Sequence, residues 1–270
     1  MSKRPRCIAI FTKRNNEDSR KVSYLLREKL AEQGISVIDY TREYDSHSPG
    51  LGIDVDVDVD LAIAIGGDGT TIKTFRTLPP GIPVLCINAG GTRGILSEVS
   101  KDSVDSIVDP LLDGHYFLDR RIRLVAQVGD EATVPVLNDF VIMRSDLTKT
   151  PLFYLSVNDD GYSQKMDGII VSTPTGSTGH SLSNGGPIVQ EYLDCMLITP
   201  IGSVNRLPPF VLPLMAVTIS ANHDLKLIMD GQILKEIQEN QSIRISKYRY
   251  DAVFLRFNKN DTRQMNKLGF

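Results

Sequence analysis

Leu61-Ala-Ile-Ala-Ile65 runs directly into Gly66-Gly67-Asp68-Gly69-Thr70, and a helix-compatible segment, residues 71–76, follows. The apolar run predicts a buried strand, so the glycines lie where a strand is followed by a helix. Such a junction suits an anion, because free backbone N–H groups and the helix dipole favour negative charge there. Glycine also lets a phosphate approach the backbone closely and permits positive φ.

Asp68 is the unusual member of this turn, because a carboxylate repels phosphate. One interpretation is functional: Asp68 accepts a proton from an attacking hydroxyl, or helps to hold a metal ion. The other is that Asp-Gly forms an ordinary turn, in which this dipeptide is common. The pentapeptide alone leaves both interpretations open, since short motifs give false positives.

Composition places the chain among globular proteins. Its 270 residues suffice for one large domain or two ordinary ones, with 41% hydrophobic and 23% charged residues. The formal net charge of -3 gives no overall attraction to nucleic acid or to an anionic membrane. Cys7, Cys86 and Cys195 are far apart and form neither a metal-ligand spacing nor a disulfide framework. No stretch approaches the ~20 apolar residues of a membrane span, so we expect a cytoplasmic protein.

The first 115 residues alternate between strand-like and helical patterns. The predicted order is strand 7–11, helix 17–33, strand 35–39, strand 61–65, helix 71–76, strand 83–87 and helix 103–112. This β-α-β order implies a parallel sheet with covering helices. The strand at 83–87 runs into a second glycine-dense turn, Asn88-Ala-Gly-Gly-Thr-Arg-Gly94. Two such turns at neighbouring strand ends should lie side by side, where open α/β sheets bind ligands.

The residues before the first glycine turn are less informative. His47 is most simply a solvated loop residue, since no partner His or Cys is near it in the sequence. Asp54, Asp56, Asp58 and Asp60 alternate with apolar residues and would share one face of a strand, which could bind cations. An exposed edge or loop face leading into the next strand is the favoured interpretation.

The pattern changes after about residue 115, where short strand-like runs separated by turn residues predominate. These runs are 121–128, 139–144, 152–157, 168–173, 214–220 and 242–246. They predict a β-sandwich-like layer. The predicted fold is therefore α/β plus β, an open parallel sheet domain packed on a C-terminal β-sandwich-like domain. We expect domains at 1–115 and 116–250, with residues 251–270 returning to the first.

Residues 167–187 form the densest stretch of the second half, Asp-Gly-Ile-Ile-Val-Ser-Thr-Pro-Thr-Gly-Ser-Thr-Gly-His-Ser-Leu-Ser-Asn-Gly-Gly-Pro. A strand leads into a loop of hydroxyls and glycines, which offers many donors and little bulk to a polar ligand such as a ribose. A flexible Ser/Gly linker is the alternative, against which the flanking strand and Pro174 argue. His180 could stack on a ring or simply lie at the surface.

These segments together resemble the NAD kinase family, over about residues 61–257. The blocks that carry the resemblance are Gly66-Gly-Asp-Gly-Thr70, Gly91-Thr-Arg-Gly-Ile-Leu96, Asn138-Asp139, residues 167–187, Ile198-Thr-Pro-Ile201 and Asp230-Gly-Gln232. The first block alone is weak, because phosphofructokinases and lipid kinases share it, whereas residues 167–187 beside it are a strong signal. The chain departs from the family where Asp139 replaces a glutamate and His180 replaces a tyrosine.

The resemblance implies phosphorylation of the adenosine ribose 2′-hydroxyl of NAD by ATP or polyphosphate, giving NADP. Asp68 would be the general base, Gly69 and Thr70 would line the phosphate cradle, and Lys73 would reach nucleotide phosphates. We expect Mg²⁺ or another divalent cation to neutralise the triphosphate and to arrive on ATP with few protein ligands, so no residue is predicted as a metal ligand. A homodimer or homotetramer is also implied.

The resemblance likewise assigns residues to the dinucleotide. Asn138 and Asp139 would bind adenine, and Lys165 and Asp167 would lie near the nicotinamide side. Further contacts would come from Thr175, Thr178, Gly179, His180, Ser181, Leu182, Ser183 and Gln232. Two alternatives remain at this point: a lipid or sugar kinase that shares the glycine cradle, and a catalytically silent NADP-binding sensor.

Overall fold

The computed structural model describes residues 4–13, 15–40, 58–90, 94–158, 160–260 and 262–269. Within them the chain divides into two compact units: one comprises Met1–Arg120 with Ala252–Phe270, and the other comprises Arg121–Asp251. His47, Asp54 and Asp56 lie outside the described residues, as do residues 91–93 of the second glycine turn.

Helices are concentrated before residue 115 and strands after it. In chain order the described strands are β1 Cys7–Thr12, β2 Ser36–Asp39, β3 Leu61–Gly66, β4 Val84–Asn88, β5 Val99–Ser100, β6 Phe117–Arg121, β7 Leu124–Val128, β8 Glu131–Ala132, β9 Asp139–Arg144, β10 Leu152–Val157, β11 Asp160–Lys165, β12 Gly168–Ser172, β13 Cys195–Ile201, β14 Phe210–Pro213, β15 Val217–Ala221, β16 Leu225–Met229, β17 Ile233–Ile237, β18 Ile243–Lys247 and β19 Ala252–Arg256. The α-helices are α1 Glu17–Glu32, α2 Asp68–Thr77, α3 Val108–Leu112, α4 His180–Ser183 and α5 Arg263–Leu268, and 3-10 helices span Lys101–Ser106 and Thr175–Thr178.

The first unit is built on a seven-stranded sheet in the order β2-β1-β3-β4-β19-β6, with β5 paired to β4. The pairings of β1 with β2 and β3, and of β4 with β3, β5 and β19, are parallel. All six residues of β1 and of β3 are buried, as expected for parallel strands covered on both faces. The predicted open parallel α/β sheet is confirmed.

The second unit contains two six-stranded antiparallel sheets, ordered β11-β10-β15-β18-β7-β8 and β14-β13-β12-β9-β16-β17. One buried apolar cluster draws Phe153 and Ile245 from the first sheet and Phe140 and Ile169 from the second. Buried and half-exposed residues alternate along β7, β15 and β16, because one face of each sheet meets the core. The predicted β-sandwich-like layer is confirmed.

Several predicted boundaries were wrong, each for a local reason. The strand predicted at 121–128 is divided into β6 and β7, which belong to different sheets. The helix predicted at 103–112 is a 3-10 helix followed by α3, because Pro110 lacks an N–H and its ring obstructs the carbonyl of Ser106. The strand predicted at 214–220 is β15, which begins three residues later. None of the helices in the described part of the chain is long and apolar enough to cross a membrane.

Candidate functional site

The first glycine turn forms a tight junction between β3 and α2. Gly66 ends β3 opposite Asn88 of β4, and Gly67 is the N-cap of α2 with an extended backbone. A Cβ on Gly66 would lie 2.3 Å from the Thr70 hydroxyl, so this position requires glycine. Helix α2 begins at Asp68, three residues before the predicted start, because a carboxylate is favoured in the first turn of a helix.

The Asp68 carboxylate bonds to the residues directly after the second glycine turn. Its Oδ2 accepts a hydrogen bond from the Ile95 amide at 3.1 Å, and its Oδ1 accepts one from the Leu96 amide at 2.9 Å. Gly66 is paired with Asn88, the first residue of the second turn, so the described parts of the two turns lie side by side, as predicted. Each carboxylate oxygen can accept a further hydrogen bond. Asp68 is thus fixed in orientation and keeps capacity to accept a proton.

Three further residues of the predicted phosphate cradle lie on α2. Gly69 is exposed and Lys73 is half-buried, and their separation of four residues places both on one face of the helix. Thr70 is buried, and its carbonyl accepts a hydrogen bond from the Thr74 hydroxyl at 2.9 Å. Thr70 therefore packs beneath the turn, whereas Gly69 and Lys73 reach its surface.

The C-terminal helix contributes a cation that sequence reasoning missed. Lys267 Nζ of α5 donates hydrogen bonds to the carbonyls of Gly94 and Ser97, each at 2.6 Å. Burial lowers the pKa of Lys267, and the charges of Arg263 and Arg256 act in the same direction, against Asp68 and Glu98. Lys267 therefore lies within electrostatic range of Asp68, in the same unit.

The second unit contains a cavity of about 610 Å³ on the outer face of the β9-containing sheet. It is lined by Asn138, Asp139, Val141, Met143, His180, Asn184, Ile201, Ile228, Asp230 and Gly231. Along β9 the residues that alternate with these, Phe140 and Ile142, belong to the sandwich core. Three predicted site residues, Asn138, Asp139 and His180, therefore meet in one cavity. Asp230 and Asn184 were not predicted as site residues.

Asp230 holds the backbone of the cavity wall. Its carboxylate accepts hydrogen bonds from the amides of Leu137 at 3.0 Å, Asn138 at 2.7 Å and Asp139 at 3.2 Å. Asp230 itself has φ of 49°, in the left-handed region that aspartate tolerates better than most residues. The Asp-Gly dipeptide at 230–231 is typical of a turn, but the local sequence does not reveal the residues that Asp230 binds.

Asp139 is only 4% exposed. Burial, with a further contribution from the charge of Asp230, raises the pKa of Asp139 to about 7. At neutral pH a large fraction of Asp139 is therefore protonated. In that state the carboxyl can donate one hydrogen bond as well as accept others.

The stability of Asp139→Asn relative to the wild type should be greater above pH 7 than at pH 4. Wild-type Asp139 keeps its proton in the folded state between its unfolded pKa near 3.8 and its folded pKa of about 7. Wild-type stability therefore falls as pH rises through this window. An asparagine side chain does not titrate. The free energy of unfolding of the variant relative to the wild type should therefore rise by at most about 4 kcal/mol between pH 4 and a pH well above 7. Urea unfolding at several pH values measures it, with exposed Asp160→Asn as the control.

The predicted hydroxyl-rich loop is more ordered than its composition suggests. Residues 175–183 form a 3-10 helix followed by α4, and Thr175, Thr178 and Ser181 are buried. The Ser181 hydroxyl lies 2.7 Å from the hydroxyl of Thr199, and the Thr178 hydroxyl donates to the Thr175 carbonyl at 3.5 Å. These hydroxyls bond within the protein, while His180 reaches the cavity. Gly179, Leu182 and Ser183 complete the segment.

Gly176 packs this segment directly onto the cavity wall. A Cβ there would lie 2.2 Å from the carbonyl oxygen of Asn138, and backbone cannot move aside cheaply. We expect Gly176→Ala to lower the free energy of unfolding by about 1–3 kcal/mol and to displace Asn138. Denaturant unfolding tests this. Gly161→Ala is the matched control, because a Cβ there meets nothing closer than 3.6 Å.

Three further predicted site residues, Lys165, Asp167 and Gln232, are not among the residues that line the cavity. Asp167 makes an ion pair with Arg144 at 3.2 Å. Lys165 is exposed at the end of β11, and Gln232 is exposed next to Gly231. No group of three or more His, Cys, Asp or Glu side chains that could hold a metal ion occurs in the described part of the chain.

Comparison with known proteins identifies the family. The model of the ATP-NAD kinase N-terminal domain matches residues 14–116, and that of the C-terminal domain matches residues 137–257. The NAD kinase of Pyrococcus abyssi is 32% identical over 93% of this chain and 94% of its own length. This chain belongs to the NAD kinase family. The predicted resemblance and the predicted enzyme class are thereby confirmed.

Other members of the NAD kinase family are similarly related. The NAD kinase of Methanosphaera stadtmanae is 30% identical over 96% of this chain and 97% of its own length. Among solved structures, an Archaeoglobus fulgidus NAD kinase in complex with ATP has a TM-score of 0.77 at 24% identity, covering 97% of both chains. Yeast NADH kinase complexed with NADH has a TM-score of 0.85 at 21% identity, covering 98% of this chain and 86% of that one. These two structures establish the shared fold.

Proposed function

We propose that this member of the NAD kinase family transfers the terminal phosphoryl group of ATP to the 2′-hydroxyl of the adenosine ribose of NAD, giving NADP. Asp68 accepts the proton of that hydroxyl as general base. The observation that carries the proposal is the Asp68 carboxylate at the N-terminus of α2, held by the amides of Ile95 and Leu96.

The chemistry of phosphoryl transfer supports these roles. It requires alignment and charge neutralisation more than covalent participation by the protein. The N-terminus of the ten-residue helix α2 offers backbone N–H groups and a favourable dipole to phosphate. Lys73, one turn into α2, adds a positive charge. A ribose hydroxyl is a weak nucleophile at neutral pH, so a positioned base should contribute about 10²–10⁴-fold to the rate.

We assign the adenine of NAD to Asn138 and Asp139. Both line the cavity of the second unit, together with His180. Asp139 has its pKa raised to about 7, so its protonated carboxyl can donate to a ring nitrogen while Asn138 both donates and accepts. The apolar side chains of Val141, Met143, Ile201 and Ile228 add the hydrophobic walls that are usual in a ligand pocket.

ATP is the proposed donor, since the Archaeoglobus fulgidus relative forms a complex with ATP. Mg²⁺ is proposed to arrive bound to ATP, where it neutralises the triphosphate. Polyphosphate is the alternative donor. We also propose that the protein is cytoplasmic. As the family resemblance implies, we propose that it is a homodimer or homotetramer, which analytical ultracentrifugation would test.

The test is a titration of NAD in the presence of ATP and Mg²⁺, with NADP formation as the readout. We expect NADP to form with ATP and its formation to stop when EDTA removes the divalent cation. Parallel assays replace ATP with polyphosphate, and NAD with a diacylglycerol or fructose 6-phosphate. Phosphorylation of either alternative acceptor at a higher kcat/KM than NAD contradicts the proposed acceptor. Faster transfer from polyphosphate contradicts the proposed donor.

A further inference from the structure

Residues 94–97, called the Asp68-binding turn below, are themselves bound by C-terminal residues of the chain. Residues 94–97 supply the two amides that bind the Asp68 carboxylate, and three carbonyls of this stretch accept hydrogen bonds from C-terminal cations. Lys267 Nζ donates to the Gly94 and Ser97 carbonyls, and Arg256 Nη1 donates to the Leu96 carbonyl at 2.9 Å. The amides of the turn therefore face Asp68, while its carbonyls are bound from the C-terminal side.

A buried ion network anchors this C-terminal segment. The Glu98 side chain is 1% exposed and lies 2.6 Å from Arg263 Nη1 and 3.5 Å from Arg256 Nη1. Glu98 also accepts hydrogen bonds from the amides of Phe257 and Asn258 at 2.9 and 3.2 Å. Because Glu98 directly follows the turn, the network fixes the start of α5 relative to residues 94–97.

We propose that Lys267 is a positioning residue for the catalytic carboxylate, holding residues 94–97 so that the Ile95 and Leu96 amides orient Asp68. The inference rests on the proposed role of Asp68 as general base. Lys267 does not act as the base or as an acid in this scheme. It restrains the turn by binding the carbonyls on either side of the two amides.

Physical reasons favour Lys267 for this role over the arginines of the network. The Arg256 and Arg263 side chains are 2% and 8% exposed and neutralise Glu98, so removing either leaves a buried charge that weakens the fold. Lys267 is only half-buried, near the end of the six-residue helix α5. Its loss should leave the core intact and release the turn. A displacement of about 1 Å in a reacting group can cost about 10²-fold in rate.

The test compares Lys267→Met with Lys259→Met in the full-length enzyme. Met has a similar length to Lys and no donor, and Lys259 is an exposed lysine before α5. We expect Lys267→Met to lower kcat by about 10–100-fold, with KM for NAD and the Tm close to wild type. Lys259→Met should have wild-type kcat. A wild-type kcat for Lys267→Met overturns the proposal.

A double-mutant cycle with Asp68→Asn shows whether Lys267 acts through Asp68. Single-turnover rates are compared for the wild type, each single variant and the pair. If the coupling exists, Lys267→Met changes the rate of Asp68→Asn by less than about threefold, since interacting residues are non-additive. The same 10–100-fold loss in both backgrounds overturns the positioning role while leaving the proposed function intact. A wild-type rate for Asp68→Asn alone instead overturns the proposed role of Asp68 as general base, on which the inference rests.

Chemical rescue covers the outcome in which Lys267→Met is poorly folded. Lys267→Ala leaves space for a small cation, so methylammonium added to the assay can donate to the Gly94 and Ser97 carbonyls. We expect it to raise kcat by about tenfold, whereas tetramethylammonium, which has no N–H, should not. The proposal is overturned if the two cations raise kcat equally, or if neither of them raises it.

Discussion

Replacing Asp68 with asparagine is expected to lower kcat for NADP formation by about 10²–10⁴-fold, while the Kd for NAD stays within a few-fold. The amide of asparagine cannot take the proton of the ribose hydroxyl at neutral pH. The residues assigned to adenine, Asn138 and Asp139, lie in the other unit and are unchanged. Single-turnover NADP formation and calorimetric NAD binding measure the two quantities separately.

Asp68 has two separable roles: as the proposed base it takes a proton, and it accepts hydrogen bonds from the Ile95 and Leu96 amides. Asparagine retains one acceptor oxygen for the Leu96 or Ile95 amide, whereas Asp68→Ala retains neither. If Asp68 is the base, both variants are slow, and alanine is at least as slow as asparagine. Asp109→Asn is the matched control, because Asp109 is an exposed carboxylate in the first turn of α3. Turnover by Asp68→Asn at the rate of this control contradicts the base role.

Replacing Arg256 with methionine is expected to lower the free energy of unfolding by about 3–5 kcal/mol. Arg256 Nε lies 3.2 Å from Asp119, whose side chain is 1% exposed. Methionine fills similar volume but leaves the Asp119 charge buried without its partner from β19. Arg256 also binds the Leu96 carbonyl, so this hydrogen bond is lost as well. Urea unfolding monitored by circular dichroism measures the change.

A surface ion pair provides the control for this prediction. Arg27 and Asp39 are 2.7 Å apart, but their side chains are 49% and 32% exposed. Arg27→Met should therefore cost only about 0–1 kcal/mol. A loss of less than about 1 kcal/mol for Arg256→Met as well would show that the buried network contributes little to stability.

Local sequence patterns predicted those strands whose own residues are apolar enough to indicate burial in a sheet. The strands 139–144 and 152–157 were predicted at their observed limits, because each contains a short contiguous run of apolar and aromatic residues. Strand β13 was missed, since Pro200 argues against a strand with neighbours on both sides. Strand β11 was missed because its residues are polar and exposed. Tertiary pairing, which the local sequence does not report, decides both cases.

The residues of the candidate site likewise include some that a local motif predicts and others that only long-range contacts reveal. Asp68 could be singled out because the motif around it is contiguous in the sequence. Asp230 and Lys267 could not be assigned their contacts, because their partners Leu137 and Gly94 are 93 and 173 residues away. The raised pKa of Asp139 was equally hidden, since it arises from burial and from Asp230. Long-range contacts of this kind become apparent only once the chain is folded.

The central claim is that the 2′-hydroxyl of NAD attacks the terminal phosphorus of ATP. Incubating the enzyme with ATP labelled at its terminal phosphate and with NAD, then locating the label by chromatography and an NADP-specific dehydrogenase, tests it most directly. We predict that the label appears in NADP, and that an NAD analogue lacking the 2′-hydroxyl remains unlabelled. Label found only in inorganic phosphate, or in the analogue to the same extent as in NAD, would contradict the claim.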